Sequence, residues 1–366
     1  MSNTTNNNNH DHNNGINHNS NGNGHPPKLT PISELGEFGL IKHLSRKFAL
    51  NNKSSIKGIG DDAAIIYNGD KATVTSTDML VEGIHFDLIY CPLKHLGYKS
   101  VVVNLSDIYA MNAQPKQILV AIALSSRFTV EALDQIYEGI ELACQNYGVD
   151  LVGGDTCSSQ KGLIINITAI GQAIPDKIVY RNRAKAGDYI CMTGDLGAAY
   201  LGLNLLEREK QMYLDNPTVA PDLNGYPYLI GRQLKPEARN DIIDVLNNMN
   251  VKPTAMIDIS DGLSSDLLHI CTQSEVGCRI FESNLPLHQQ TVQAAKMFNV
   301  SPITCALNGG EDYELLFTIS PNDIEKLEDT FGIAIIGRIT EASEGYKLVT
   351  GGGKSHDLIA QGWKHI

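Results

Sequence analysis

"GIGDDAAII", residues 58–66, is the stretch on which the fold turns. Gly58, Gly60 and Ala63 fit the G-x-G-x-x-A turn of dinucleotide-binding proteins, but Asp61 and Asp62 stand inside it. Such a turn aims backbone N–H groups and a helix N-terminus at a pyrophosphate, and two carboxylates there repel that ligand. Phosphate comes to this loop only with a divalent cation between, because a bound metal reverses the sign of a carboxylate-lined site.

Outward from the loop, short β-rich runs alternate with helical ones. "AAIIY" and "ATVTST" read as strands, and "LGYKSVVVNLSDIYAM" carries Tyr98, Val101, Val102, Leu105, Ile108 and Tyr109 at helical spacing. "QILVAIAL" is a buried strand. "TVEALDQIYEGIELACQNYG" is a helix with Thr129 as its cap and Gly148 as its stop. "VDLVGG" and "GLIINITAIGQAI" return to strand, and a second half opens near "AKAGDYICMTG", with a boundary at about residues 175–187. "DNPTVAPDLNGYPYLIGRQLKPEAR", rich in Pro, Asn and Gly, reads as an insertion or long connection outside the site. The expected class is α/β or α+β in two parts.

The 366 residues, 42% of them apolar, suffice for two ordinary domains, and the net charge of −12 excludes a general affinity for nucleic acid or anionic membrane. Seven cysteines without a CxxC pair indicate neither a disulfide framework nor a zinc site. No stretch is long and apolar enough to span a bilayer, so a cytoplasmic protein is expected. Residues 1–28 are Asn-rich and His-dotted and are expected to be disordered, with a His metal tract as the other reading.

Aspartates recur where apolar runs end: Asp61 and Asp62, Asp78, Asp107, Asp155, then Asp258 and Asp261 in "DISDG". Each alone is also an ordinary turn or cap residue. As a set at strand ends several of them can converge on one cluster, which cannot stay ionised without cations. Oxygen donors without paired His or Cys suit Mg²⁺, which shares its coordination between carboxylates and phosphates, and this points to phosphoryl transfer. "GGGKS" at 351–355 imitates a P-loop, but the earlier glycine that motif requires falls on Leu348, so it reads as a solvated turn. "DISDGLSSDL" also has the look of a helix start capped by Ser260 or Asp261.

"GIGDDAA", "STDMLVEGIHF", "NLSDIYAM", "GGDT", "MIDISDGLSSDL" and "NGGEDYELLFT" together resemble thiamine-monophosphate kinase, in order and spacing, from about residue 34 to the C-terminal "GWKHI". That family belongs to a superfamily of ATP-using enzymes with aminoimidazole ribonucleotide synthetase and selenophosphate synthetase. The resemblance implies the two-domain fold of that superfamily, residues 29–180 binding ATP and Mg²⁺ and 181–366 completing the site. It also implies a homodimer whose N-terminal halves form a β-barrel. The implied reaction is ATP-dependent phosphorylation of thiamine monophosphate to thiamine diphosphate, with ATP as co-substrate and several Mg²⁺ ions.

By the same resemblance, Asp62, Asp78, Asp107, Asp155, Asp258 and Asp261 match metal positions, aided by Ser76 and Thr77. Asp62, Asp107 and Asp258 stand at the catalytic centre. Gly154, Asp155, Arg181 and Ser260 match nucleotide contacts, and His85, Glu311 and Trp363 match substrate contacts. Read from the residues alone, His85 is equally a hydrogen-bonded core histidine, Arg181 a solvated face, Glu311 a turn residue and Trp363 an anchor for the C-terminus. Selenophosphate synthetase would need a reactive cysteine in an N-terminal glycine-rich segment, and the first here is Cys91. A hydrogenase-maturation relative would end in cysteine, and this chain ends in Ile366. A non-catalytic nucleotide-binding regulator would be expected to lack metal aspartates, and none is missing.

Overall fold

The computed structural model describes residues 31–218, 222–223, 225–327 and 330–361, so the tail at 1–28 and Trp363 lie outside the described residues. The chain divides into a short N-terminal unit up to Leu44 and a large unit from Ser45. The first contributes helix α1 (Gly36–Ser45).

The first half of the large unit consists of β1 (Ser55–Lys57), β2 (Ala64–Asn68), β3 (Lys71–Val81), helix α2 (Leu93–Ala110), β4 (Gln114–Leu124), helix α3 (Val130–Tyr147), β5 (Asp150–Ser158) and β6 (Ile164–Ala173). These six strands form one sheet in the order β1-β2-β3-β6-β4-β5, antiparallel except for the parallel pair β4 and β5. Among the described residues this sheet stays open, with β1 and β5 at its edges, and no closed barrel forms within the chain.

The glycine loop ends in strand β2 rather than in a helix, which removes the helix N-terminus a dinucleotide turn would need. Helix α2 packs against α3, β3 and β6 and is buried almost all round. Tyr98, Val101, Val102, Leu105, Ile108 and Tyr109 are all core. Each buried apolar side chain of this size stabilises the fold by roughly 1.5–3 kcal/mol. Helix α2 is thus a fixed rod, and the polar residues it carries are fixed with it.

The second half consists of β7 (Tyr189–Thr193), α4 (Ala198–Asp215), α5 (Pro227–Leu234), α6 (Asn240–Asn248), β8 (Ala255–Asp258), α7 (Leu263–Ser274), β9 (Gly277–Phe281), α8 (Gln289–Met297), α9 (Pro302–Asn308), β10 (Leu315–Ile319), α10 (Ile324–Leu327), β11 (Ile333–Thr340), β12 (Tyr346–Val349) and β13 (Ser355–Asp357). Its seven strands form a second sheet, β13-β12-β9-β11-β7-β10-β8. The architecture is mixed α/β on two sheets.

Local structure settles three readings of the sequence. "GGGKS" is the solvated hairpin between β12 and β13, closed by Thr350 N donating to Lys354 O at 2.9 Å. The stretch read as an insertion contains helix α5, which starts on Pro227, a residue whose missing N–H costs nothing in a first turn. The N-cap residue of α7 is Gly262 rather than Ser260 or Asp261; Asp266 reaches back and accepts from the N–H groups of Asp261 and Gly262, at 3.3 and 3.2 Å.

Candidate active site

Three carboxylates meet at one place. Asp62 follows the glycine loop, Asp107 lies in the last turn of α2 and Asp258 ends β8, and each offers an oxygen within 4.8 Å of the others. Strand pairing and helix packing bring them there. The Oγ–H of Ser76, on β3, donates to Asp107 Oδ2 at 2.6 Å. The Oγ–H of Ser106, one residue before Asp107 on α2, donates to Asp258 Oδ2 at 2.7 Å. Arg181, in the link between the sheets, donates from Nε and a terminal nitrogen to Asp62 at 3.0 and 2.7 Å. Its backbone N–H donates to Asp61, whose carboxylate also pairs with Lys57 at 3.1 Å.

The electrostatics follow from crowding. Burial, then the charges of Asp78, Asp258 and Asp62, push the Asp107 carboxyl well above the usual range, against the Ser76 hydrogen bond. Burial and the charge of Asp62 push Asp258 up to about 7, against Ser106 and Arg181. For Arg181 burial opposes the charge, but the Asp62 carboxylate outweighs it and raises the guanidinium's already high pKa. The cluster therefore holds more negative charge than one guanidinium offsets. Its donors are all oxygen, and this set fits a hard divalent cation.

The other expected residues fall into separate groups. Asp78 lies two residues along β3 from Ser76, its N–H donating to Asn104 Oδ1 at 2.8 Å, and its charge acts on both Asp107 and Asp258. Thr77, between them, faces the other side of the sheet, donating to Ile167 O at 3.1 Å and pairing with the hydroxyl of Thr168. Gly154 and Asp155 lie on β5, a strand exposed along its whole length, and among the described residues neither hydrogen-bonds nor ion-pairs with the three-carboxylate cluster. A Cβ on Gly154 would meet Val120 O at 1.8 Å, so the close approach of β4 already demands glycine there. His85, in the turn after β3, accepts from Val81 N–H through Nδ1 at 3.0 Å, which leaves Nε2 as the nitrogen that carries its proton.

Ser260 and Glu311 are joined through the backbone, the N–H of Glu311 donating to Ser260 O at 2.7 Å. Glu311 and Tyr313 both have left-handed backbones, φ 58° and 51°. Asp312 and Glu314, between and beyond them, are buried. Asp312 accepts from Gly197 N–H at the start of α4, and Glu314 pairs with Arg239 at 2.6 Å and Arg232 at 3.1 Å. Ser106, Asn104, Arg232, Arg239, Lys99 and Gln233 were not among the residues singled out in the sequence. The buried hydroxyl and amide neighbours of an aspartate motif were the available signal.

Residues 60–173 match the family model described as AIR synthase related protein, N-terminal domain. Along almost its whole length the chain is similar to the thiamine-monophosphate kinase of Aquifex aeolicus strain VF5, 34% identical over 335 residues, covering 92% of this chain and 99% of the relative. The chain belongs to the thiamine-monophosphate kinase family. The kinase of Bacillus subtilis strain 168 is 33% identical, covering 91% of this chain and all of its own length. A solved structure of AaThiL complexed with AMPPCP and TMP superposes with a TM-score of 0.79 at 32% identity, over 92% of this chain and 99% of that one. Membership of the thiamine-monophosphate kinase family agrees with the fold and with the carboxylate cluster. No helix among the described residues is long and apolar enough to cross a membrane.

Proposed function

We propose that this chain transfers the γ-phosphoryl group of ATP to thiamine monophosphate, giving thiamine diphosphate and ADP. The observation that carries the reading is the meeting of Asp62, Asp107 and Asp258 in a chain of the thiamine-monophosphate kinase family. A phosphate oxygen of the acceptor forms the new bond to the γ-phosphorus. The bond from that phosphorus to the β–γ bridging oxygen breaks, and ADP leaves with the electron pair. The acceptor is a phosphate anion near neutral pH, so no side chain has to remove a proton from it.

Mg²⁺ ions held by Asp62, Asp107 and Asp258, with Asp78, Asp155, Asp261 and Ser76 in the same proposal, would offset the repulsion between the two phosphorylated molecules; Thr77, expected among them, has its hydroxyl on the opposite face. The chain's own part is positioning: Ser76 and Ser106 fix the orientation of two carboxylates, and Arg181 fixes the third. Gly154, Arg181 and Ser260 are assigned to ATP, and His85, Glu311 and Trp363 to the acceptor.

A homodimer belongs to the same reading. The uncovered edge strand β5, with Leu151 and Val152 exposed, supports pairing of N-terminal halves into a shared barrel. The division at residues 180 and 181 is supported by the break between the two sheets. A cytoplasmic setting is in keeping with seven free cysteines. A coupled assay with ATP, Mg²⁺ and thiamine monophosphate, run beside thiamine, tests the central claim. Turnover with thiamine monophosphate alone is expected; equal turnover with thiamine overturns it, and no turnover with either favours a regulator of the same fold.

A further inference from the structure

Lys99 is 3% exposed, on α2 two turns before Asp107. A lysine so buried is rare unless paired, and this one is paired twice. Its Nζ donates to Glu311 Oε2 at 2.7 Å and to the backbone oxygen of Gln233 at 3.0 Å. The side-chain amide of Gln233 donates through Nε2 to the same Glu311 oxygen, also at 3.0 Å. Two donors thus hold one oxygen of the carboxylate. Its other oxygen has no protein hydrogen-bond partner among the described residues, and the Glu311 side chain remains 29% exposed.

The amide of Gln233 carries a second sign. With Nε2 committed to Glu311, Oε1 is left buried and without a hydrogen-bond partner among the described residues. An unfilled buried acceptor is costly, so Gln233 gives up a hydrogen bond of its own in the position that holds Glu311. What this network leaves open is the second oxygen of the part-exposed Glu311 carboxylate, an acceptor for a group that carries N–H donors.

We propose that Lys99 and Gln233 are positioning residues that set the Glu311 carboxylate for the acceptor substrate, through a cationic, amino-bearing heterocycle rather than through its phosphate. This rests on the thiamine-monophosphate reading above. Lys99 neutralises the oxygen it holds and keeps the carboxylate from turning toward solvent. Gln233 completes the orientation. Neither touches the transferred phosphoryl group, so their loss acts on acceptor affinity and leaves the nucleotide side alone.

The test uses the full chain with ATP, Mg²⁺ and thiamine monophosphate, plus calorimetric binding of a non-hydrolysable ATP analogue. Wild-type turnover decides the functional reading, and its absence sinks that reading and this inference together. Given turnover, Lys99→Met is expected to raise the acceptor KM at least about tenfold, as truncation of one partner of a buried pair does, with analogue affinity within about twofold. Lys99→Arg recovers part of the loss, and Gln233→Leu raises the acceptor KM about threefold or more. A folded Lys99→Met with wild-type acceptor KM overturns the inference, as does a loss of analogue affinity as large as the loss for the acceptor. If Lys99→Met does not fold, Gln233→Leu decides by the same readouts, and an unchanged acceptor KM there overturns the inference.

Discussion

Arg181 closes two hydrogen bonds on Asp62, so one guanidinium is spent on a single carboxylate of the three that meet. Asp107 and Asp258 have serine hydroxyls instead, which orient an anion without cancelling its charge. The least compensated part of the cluster is therefore the pair on α2 and β8. The experiments below act on that asymmetry and on the scaffold around it.

Asp107→Asn keeps the shape of the side chain and removes one of the crowded charges. Turnover is expected to fall by a factor on the order of 10²–10³ or more, the scale of a lost group that stabilises charge in the transition state. Without Mg²⁺ the variant should melt no lower than wild type, because repulsion has been relieved, and it should gain less from added Mg²⁺. Wild-type turnover in the folded variant would remove Asp107 from the mechanism.

The pH dependence of metal-free stability follows from Asp258. In the fold its carboxyl titrates at about 7 against an ordinary value of 3.8, so between these limits the fold retains a proton that the unfolded chain has released. That contribution is fully present below the unfolded value and is lost as pH rises through the folded one. In chelator, the melting temperature should fall from about pH 4 to about pH 7, and Asp258→Asn should flatten part of the fall. Asp312, also raised to about 7 by burial despite Arg232, adds the same sign. An identical slope in wild type and Asp258→Asn would count against the cluster as the cause.

Gly154→Ala separates strand packing from nucleotide contact. The new methyl would sit 1.8 Å from Val120 O in the neighbouring strand β4, so the β4–β5 pairing must shift. Denaturant unfolding should show a loss of about 1–3 kcal/mol, the usual cost of overpacking. A drop in ATP affinity with unchanged stability would show that the strand accepts the methyl and that glycine is required by the ligand.

Glu314→Ala is expected to cost about 3–5 kcal/mol, because it leaves Arg232 and Arg239 with a buried partner missing. Thr193 also loses its acceptor, at 2.5 Å. Chemical denaturation measures the effect, and a loss below about 1 kcal/mol would mean that both arginines find other partners.

Local pattern was enough for much of this fold. Thr129 caps α3 by accepting from Ala132 N–H at 3.3 Å, and Gly148 ends it in the left-handed region at φ 63°, as their residue types led one to expect. Strands β2, β3 and β4 fall on the apolar runs read as strands, because β-branched residues suit a half-buried pleat. That Asp62, Asp107 and Asp258 meet was legible from aspartates recurring where apolar runs end. The partners that orient them were not. Ser106 meets Asp258 across 152 residues and Lys99 meets Glu311 across 212, and no local signal distinguishes such a lysine from one on a solvated face. Gln233 was hidden differently: composition averaged over a Pro- and Asn-rich stretch concealed the eight-residue helix α5 that carries it.

Helix α2 has a consequence for how the chain can change length. Lys99 and Asp107 are eight positions apart on it, about 12 Å along the axis, and each is fastened at its far end to a different part of the molecule. Inserting or deleting one residue between them would turn one end by about 100° against the other, and one of the two attachments would be lost. The interval from 99 to 107 is therefore closed to insertions and deletions, while substitutions such as Val101→Ile are a matter of volume alone. A chain that kept every aspartate but altered this interval by one residue would keep its inventory of ligands and lose their spacing.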